Sequence, residues 1–250
     1  PYATSYYKKN WGFCVSRKQY LKLSNIKTKF NIMINSNFKN GKLKWGEATI
    51  KGKSNKTIIL STYLCHPSMA NNELSGPTVV TFLAKWLQEV NKTYFSYRII
   101  FIPETIGSIT YLSKNYKDMK NKIFAGFNVS CVGDDRAYSY LPSRNGMTIS
   151  DLIAKHVLKW IDPNFIKYSW FDRGSDERQY CSIGYNLPVG SLMRVPYGLY
   201  KEYHTSLDNK KIINFSSMYE TILIYKKVFK FIEKNYFTFD HLNKNLNFVT

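Results

Sequence analysis

The amino-acid sequence predicts an α/β fold built on a mostly parallel, twisted sheet flanked by helices. Three observations carry this expectation. Short apolar runs rich in β-branched residues recur through the first half of the chain, amphipathic helical stretches separate them, and each connection is long enough for a right-handed crossover between parallel strands.

The run TIILSTYL (57–64), ended by Pro67, reads as a buried strand. A helix is predicted over 76–90, where Val79, Val80, Leu83, Trp86, Leu87 and Val90 share one face. Pro77 sits in its first turn, where the missing N–H is harmless. YRIIFIP (97–103) is a second strand stopped by Pro103, a weaker helical stretch follows from Ile106 to Lys117, and IFAGFNVSC (123–131) is a third strand. A further helix begins at Thr148, with Asp151 three residues on, and runs through Ile153, Val157 and Trp160, so His156 within it reads as packing. The last helix is expected to open at Ser217-x-x-Glu220, a capping-box pattern, and to bury Met218, Ile222, Leu223, Tyr225, Phe229 and Ile232. Leu187 to Met193 is strand-like, and His241 reads as surface. Ahead of the first strand, residues 28–52 hold two alternating apolar stretches around Asn40-Gly41, the signal of a β-hairpin.

With 250 residues and 44% hydrophobic content, one core is the expectation, as a single domain over 1–250. The chain opens on Pro1 inside sequence that already reads as folded, as a fragment of a longer protein would. No run nears the roughly 18 apolar residues of a membrane span, and the start lacks a secretory-signal pattern. A soluble, cytoplasmic protein without a membrane partner is expected. Cys14, Cys65, Cys131 and Cys181 include no C-x-x-C pair, which argues against a zinc ribbon and for reduced, mostly buried thiols. The net charge of +19 would suit a polyanion, but the lysines are scattered rather than gathered in a stripe, so nucleic acid is not the expected partner.

Ligands of an open parallel sheet bind beyond the carboxyl ends of its strands. His66 follows the first strand directly, Glu104 follows the second after one proline, and His204 lies in a late loop, Tyr203-His204-Thr205-Ser206-x-Asp208-Asn209. Two imidazoles and a carboxylate from separate loops suit zinc, with the carboxylate able to deprotonate its water. Taken singly, each has a duller reading: the histidines as structural, Glu104 as a helix N-terminal acid. In the block 173–179, Arg178 is a candidate clamp for a substrate carboxylate, as is Arg194 further on. Tyr197, Tyr200 and Tyr203 are candidate pocket walls for a peptide or sugar.

Three strings carry a family resemblance. C-H-P-S-M-A-N-N-E-L-S-G-P (65–77) resembles the metal loop of zinc aminopeptidases, P-E-T-I-G-S (103–108) resembles their E-E-x-G segment, and Y-H-T-S-L-D-N (203–209) their terminal H-T-x-x-D-T. Together with C-V-G-D-D-R-A-Y-S-Y-L-P-S-R-N-G (131–146) and R-G-S-D-E-R-Q-Y-C-S (173–182), the first string also resembles a bacterial aminopeptidase-like domain family of unknown function, over nearly the whole chain. That resemblance implies a zinc-aminopeptidase-like fold, longer parent proteins and a link to surface-polysaccharide synthesis. It implies a zinc-dependent hydrolase of amide bonds in a peptide or acylated amino sugar, with His66 and His204 as metal ligands and Glu104 as catalytic base. The departures are Asn71 and Asn72 for the acidic pair, Thr105 for the second Glu, and Ser130 for an Asp. With three anionic ligands gone, one ion is expected rather than two. Glu73 is the preferred third ligand, Asp134 and Asp176 the alternatives, and Arg178 and Tyr203 the substrate contacts. The competing expectation is a degenerate enzyme kept as a binding or assembly module.

Overall fold

The computed structural model describes residue 9, residues 12–90 and residues 92–235. His241 lies outside them, as do both ends of the single domain expected over 1–250. The described elements run α1 (Arg17–Ser24), β1 (Gly46–Ile50), β2 (Thr57–Tyr63), α2 (Ser75–Val90), β3 (Ser96–Ile102), α3 (Ile106–Lys122), β4 (Ile123–Asn128), β5 (Ser139–Leu141), α4 (Ile149–Ile161), β6 (Ile166–Lys167), α5 (Glu177–Tyr180), β7 (Val189–Met193) and α6 (Phe215–Lys234). The strands form one sheet in the order β1-β3-β2-β4-β7-β5-β6. The central strands β3, β2, β4 and β7 are parallel. β1 and β5 join it antiparallel, on β3 and β7 respectively.

β2 is buried along its whole length, as a strand covered on both faces must be. Its residues alternate between layers: Ile58 and Leu60 pack with α2, α4 and α6, whereas Ile59 packs with residues of α3 and α5. The apolar face predicted for α2 supplies Val79, Val80, Leu83 and Leu87 to the first of these cores. Gly76 lets that helix touch the sheet, since a Cβ there would lie 2.3 Å from the Val129 carbonyl oxygen. A π-helical turn, Ala70–Leu74, feeds directly into α2. Thr148 and Asp151 make the reciprocal cap of α4.

Three expectations are corrected. The hairpin over 28–52 does not form: residues 28–45 carry no strand, and only Gly46–Ile50 pairs, with β3 instead. An isolated two-stranded ribbon is marginal in water, while the edge of β3 offers a ladder on an existing sheet. α6 starts two residues before Ser217 because the Asn214 side chain accepts the Ser217 N–H, and Glu220 bonds Tyr138 and Arg194 rather than closing a cap. Of the four cysteines, Cys131 and Cys181 are buried, but Cys14 and Cys65 are exposed. No described helix is long and apolar enough to cross a membrane.

Candidate metal centre

β2 and β3 are sheet neighbours in register, Tyr63 opposite Ile102, and the ladder continues through Leu64 N–H to the Ile102 carbonyl at 2.8 Å. The residues that follow, Cys65 and His66 on one strand and Glu104 on the other, therefore leave the same edge side by side. One ligand atom from each of the three lies within 4.8 Å of the others. The late loop brings His204 to His66, with ring centroids 4.6 Å apart and a 30° tilt, and Tyr203 stacks on His204 at 3.8 Å.

Glu73 sits in the π-helical turn and is buried. Its Oε1 meets His66 Nδ1 at 2.6 Å and its Oε2 accepts the Cys65 N–H at 2.6 Å. A carboxylate only accepts, so the Nδ1 proton is on His66. Burial and the neighbouring His66 lower the His204 pKa to about 4, so its ring is neutral at pH 7. Burial raises the pKa of Glu104, while a hydrogen bond from Ser175 Oγ to its Oε1 at 2.6 Å opposes that rise.

Backbone strain concentrates here. Ser68, Thr105, Cys131 and His204, all in loops at this edge, have positive φ. Thr105, at φ 62° and ψ −71°, is the centre of a classic γ-turn closed by Ile106 N–H to the Glu104 carbonyl at 2.7 Å, a rare conformation for a β-branched residue. Asp176 holds it: its Oδ1 accepts Thr105 N–H at 2.7 Å and Ser108 Oγ–H at 2.8 Å. Strain of this kind costs about 1–3 kcal/mol and persists where surrounding contacts over-determine it. Its effect is to fix the direction in which Glu104 leaves the sheet.

Asp208 anchors the loop that carries His66 and Glu73. Its Oδ1 accepts the N–H groups of Ala70 and Asn71, and its Oδ2 those of Asn72 and the Tyr200 hydroxyl. Three backbone amides thus tie the His204 loop to the His66 loop, and the Tyr200 hydroxyl braces Asp208 from within its own loop. Glu177 is similarly engaged with Gly174, Ser175, Tyr197 and Asn128. Arg194 is a packing residue, over the Tyr138 ring and bonded to Glu220. Arg178 is exposed beside Arg173, Asp134 bonds Asn71, and Asp176 serves Thr105. Sequence reading weighed Cys65 as a nucleophile for its place directly before His66 and favoured packing, and it gave Ser175, Asp208 and Glu177 no role. Their only signal was adjacency to His66, Asp176 or His204 in the strings that drew attention.

A family model described as a domain of unknown function, DUF4910, matches residues 13–235. The chain belongs to the DUF4910 family. A Clostridium acetobutylicum protein named "Putative polysaccharide biosynthesis protein with aminopeptidase-like domain" is 43% identical over 235 residues, 94% of this chain and 53% of that protein. The crystal structure of a "putative peptidase" from Clostridium acetobutylicum matches with 42% identity and a TM-score of 0.83, covering 93% of this chain and 54% of that one. This DUF4910 chain therefore spans about half the length of the relatives it matches. A zinc aminopeptidase from Bacillus subtilis shares the fold, with a TM-score of 0.60 at 14% identity over 74% of this chain and 48% of that one.

Proposed function

We propose that this aminopeptidase-like domain is a metal-dependent amide hydrolase using one zinc ion, with Glu104 as general base. The observation that carries the reading is the convergence of Cys65, His66 and Glu104 within 4.8 Å, with the His204 ring 4.6 Å from that of His66. Imidazole and thiolate are donors zinc accepts, and three protein ligands suffice for a catalytic site, so the residues present fit the ion in kind without Glu104. His66 and His204, with Cys65 beside them, are the residues that would hold it. Glu73, the third ligand expected from sequence, takes a different part in this reading: it orients His66, because both of its oxygens are engaged. When bound, zinc would acidify a water and polarise the scissile carbonyl.

Glu104 takes the proton of the attacking water and returns it to the leaving amine. Burial raises its pKa, which brings a carboxylate nearer the operating pH that both transfers require. Tyr203 and Arg178 stand as substrate contacts, and the name of the Clostridium relative supports an acylated amino sugar, alongside a peptide, as the substrate class. The test is zinc content after purification without added metal, followed by turnover on peptides and N-acetylated amino sugars. One zinc per chain is expected in both the parent and Glu104→Gln, with turnover of the variant lower by roughly 10²–10⁴-fold. Full turnover by Glu104→Gln removes the base assignment, and loss of its zinc makes Glu104 a ligand.

A second reading, a binding or assembly module, is favoured by the neutral Asn71 and Asn72, which are bonded into the protein rather than offered to a ligand. A zinc-loaded parent inactive on both substrate classes would establish it.

A further inference from the structure

We propose that the domain carries a second binding site, a pocket for a phosphoryl group borne on a ring, lined by three arginines that pair with no carboxylate among the described residues, of which the hydrolase reading uses Arg178 alone, as a substrate contact. Arg98, Arg136 and Arg194 each pair with a carboxylate. Arg144, Arg173 and Arg178 pair with none among the described residues, yet all three line one cavity of about 790 Å³ together with Trp170, Phe171 and Ile183. They arrive there from separate segments, Arg144 from the loop after β5, Arg173 from the turn before α5 and Arg178 from α5 itself.

Arg173 is pre-positioned. Its guanidinium lies 4.5 Å from the Trp170 ring centre and Nη1 donates to the Trp170 carbonyl at 3.1 Å, whereas its buried Nε has no partner among the described residues. An indole-stacked guanidinium with donors left over is an arrangement suited to phosphate or carboxylate. Charge decides between these. Three neighbouring guanidiniums repel one another until an anion neutralises them, and a phosphate monoester brings about −1.5 to −2 charges and three acceptor oxygens, against one charge and two oxygens for a carboxylate. The ring requirement comes from Phe171 and Ile183, each 84% exposed at the same cavity, which offer apolar surface to a base or sugar. The cavity is also of the size that holds a small organic ligand rather than a bare ion.

The pocket shares the 173–178 segment with the metal centre, since Ser175 of that segment holds Glu104. Its existence does not rest on the hydrolase reading. Isothermal titration of the whole chain at low ionic strength, with uridine monophosphate, glucose 1-phosphate, inorganic phosphate and glucuronate as probes, tests it. One of the two phosphorylated rings should bind at least roughly tenfold tighter than inorganic phosphate and than glucuronate, and which one identifies the source of the phosphoryl group. Arg144→Ala and Arg178→Ala, both at exposed positions, should each weaken that ligand about ten- to hundredfold, as loss of a charged hydrogen bond does. Phe171→Ala should erase the preference for the ring, while the double variant Lys210→Ala/Lys211→Ala, with a larger loss of charge at another exposed site, should bind as the parent does. The proposal is overturned if no phosphorylated ring binds, if glucuronate binds as tightly, if the arginine variants match the parent, or if the lysine variant loses as much.

Discussion

At the ends of β2 and β3, Cys65, His66 and Glu104 bring sulfur, imidazole and carboxylate within 4.8 Å, and all three side chains keep some exposure. A few residues along the same loop, Asn71 and Asn72 are buried. Asn71 donates to Asp134 Oδ2 at 3.1 Å and accepts the Gly133 N–H at 2.8 Å, and Asn72 donates to the Tyr63 hydroxyl at 2.7 Å. Both regions are polar and both lie beyond the sheet, but one directs donors outward while the other directs them into the protein. The difference teaches that a lost acidic ligand need not leave a gap: the Asn71 amide both donates and accepts, so it is absorbed as a structural cross-link between loops in a way a carboxylate could not be, whereas Asn72 only donates.

The sharpest way to break that comparison is Asn71→Asp. A carboxylate at this position loses the proton it gives to Asp134 and sets two buried acids against each other, so we expect about 3 kcal/mol of destabilisation at neutral pH in urea unfolding. Acquisition of a second zinc ion with unchanged stability would mean that the two regions differ in charge alone. On the donor side, Glu73→Gln keeps an acceptor near His66 but removes the charge, and zinc affinity in a chelator competition should fall about 10–100-fold, as for other partners of ligating histidines. An unchanged affinity would detach Glu73 from the site.

Asp176, which holds the Thr105 turn, sharpens the comparison through pH. Burial raises its pKa from 3.8 to about 7. Between those values the folded chain keeps a proton that the unfolded chain has released, so the associated stability is complete below pH 3.8 and is lost as pH rises through about 7. Asn at this position retains the acceptor for Thr105 and Ser108 and cannot titrate. The Tm of the parent relative to Asp176→Asn should therefore fall steadily between about pH 4 and pH 8. A constant offset across that range would show that Asp176 is ionised throughout.

How much of this was legible follows from which interactions are local. Periodicity located β2, α2, β3, α3, β4 and α4, because their burial patterns are written in consecutive residues. The Asn40-Gly41 turn and the Ser217 cap are local signals too, yet both were overridden: β1 found a ladder on β3, and Asn214 supplied a cap while Arg194 and Tyr138 took Glu220. At the candidate metal centre, position after a strand end pointed to His66 and Glu104. The acceptor work of Asp208 for residues 70–72 and the hydroxyl of Ser175 on Glu104 depend on loops more than seventy positions away meeting in space, which no spacing rule reports.

The smallest expected effect belongs to Ser175→Ala, and it bears on whether Glu104 is tuned or merely placed. Burial raises the Glu104 pKa, and the Ser175 hydroxyl works against it by donating to Oε1 at 2.6 Å, a bond that favours the charged form. Without the hydroxyl the pKa rises further, so at a given acid pH a smaller fraction of Glu104 is a carboxylate able to accept a proton. The acid limb of the turnover profile should move to higher pH, with turnover near that of the parent on the alkaline side, and stability should drop by only about 1 kcal/mol. Uniform loss of turnover at every pH, with the acid limb unmoved, would make Ser175 a packing contact. A shift in the expected direction would tie the 173–178 loop to the chemistry of the donor side.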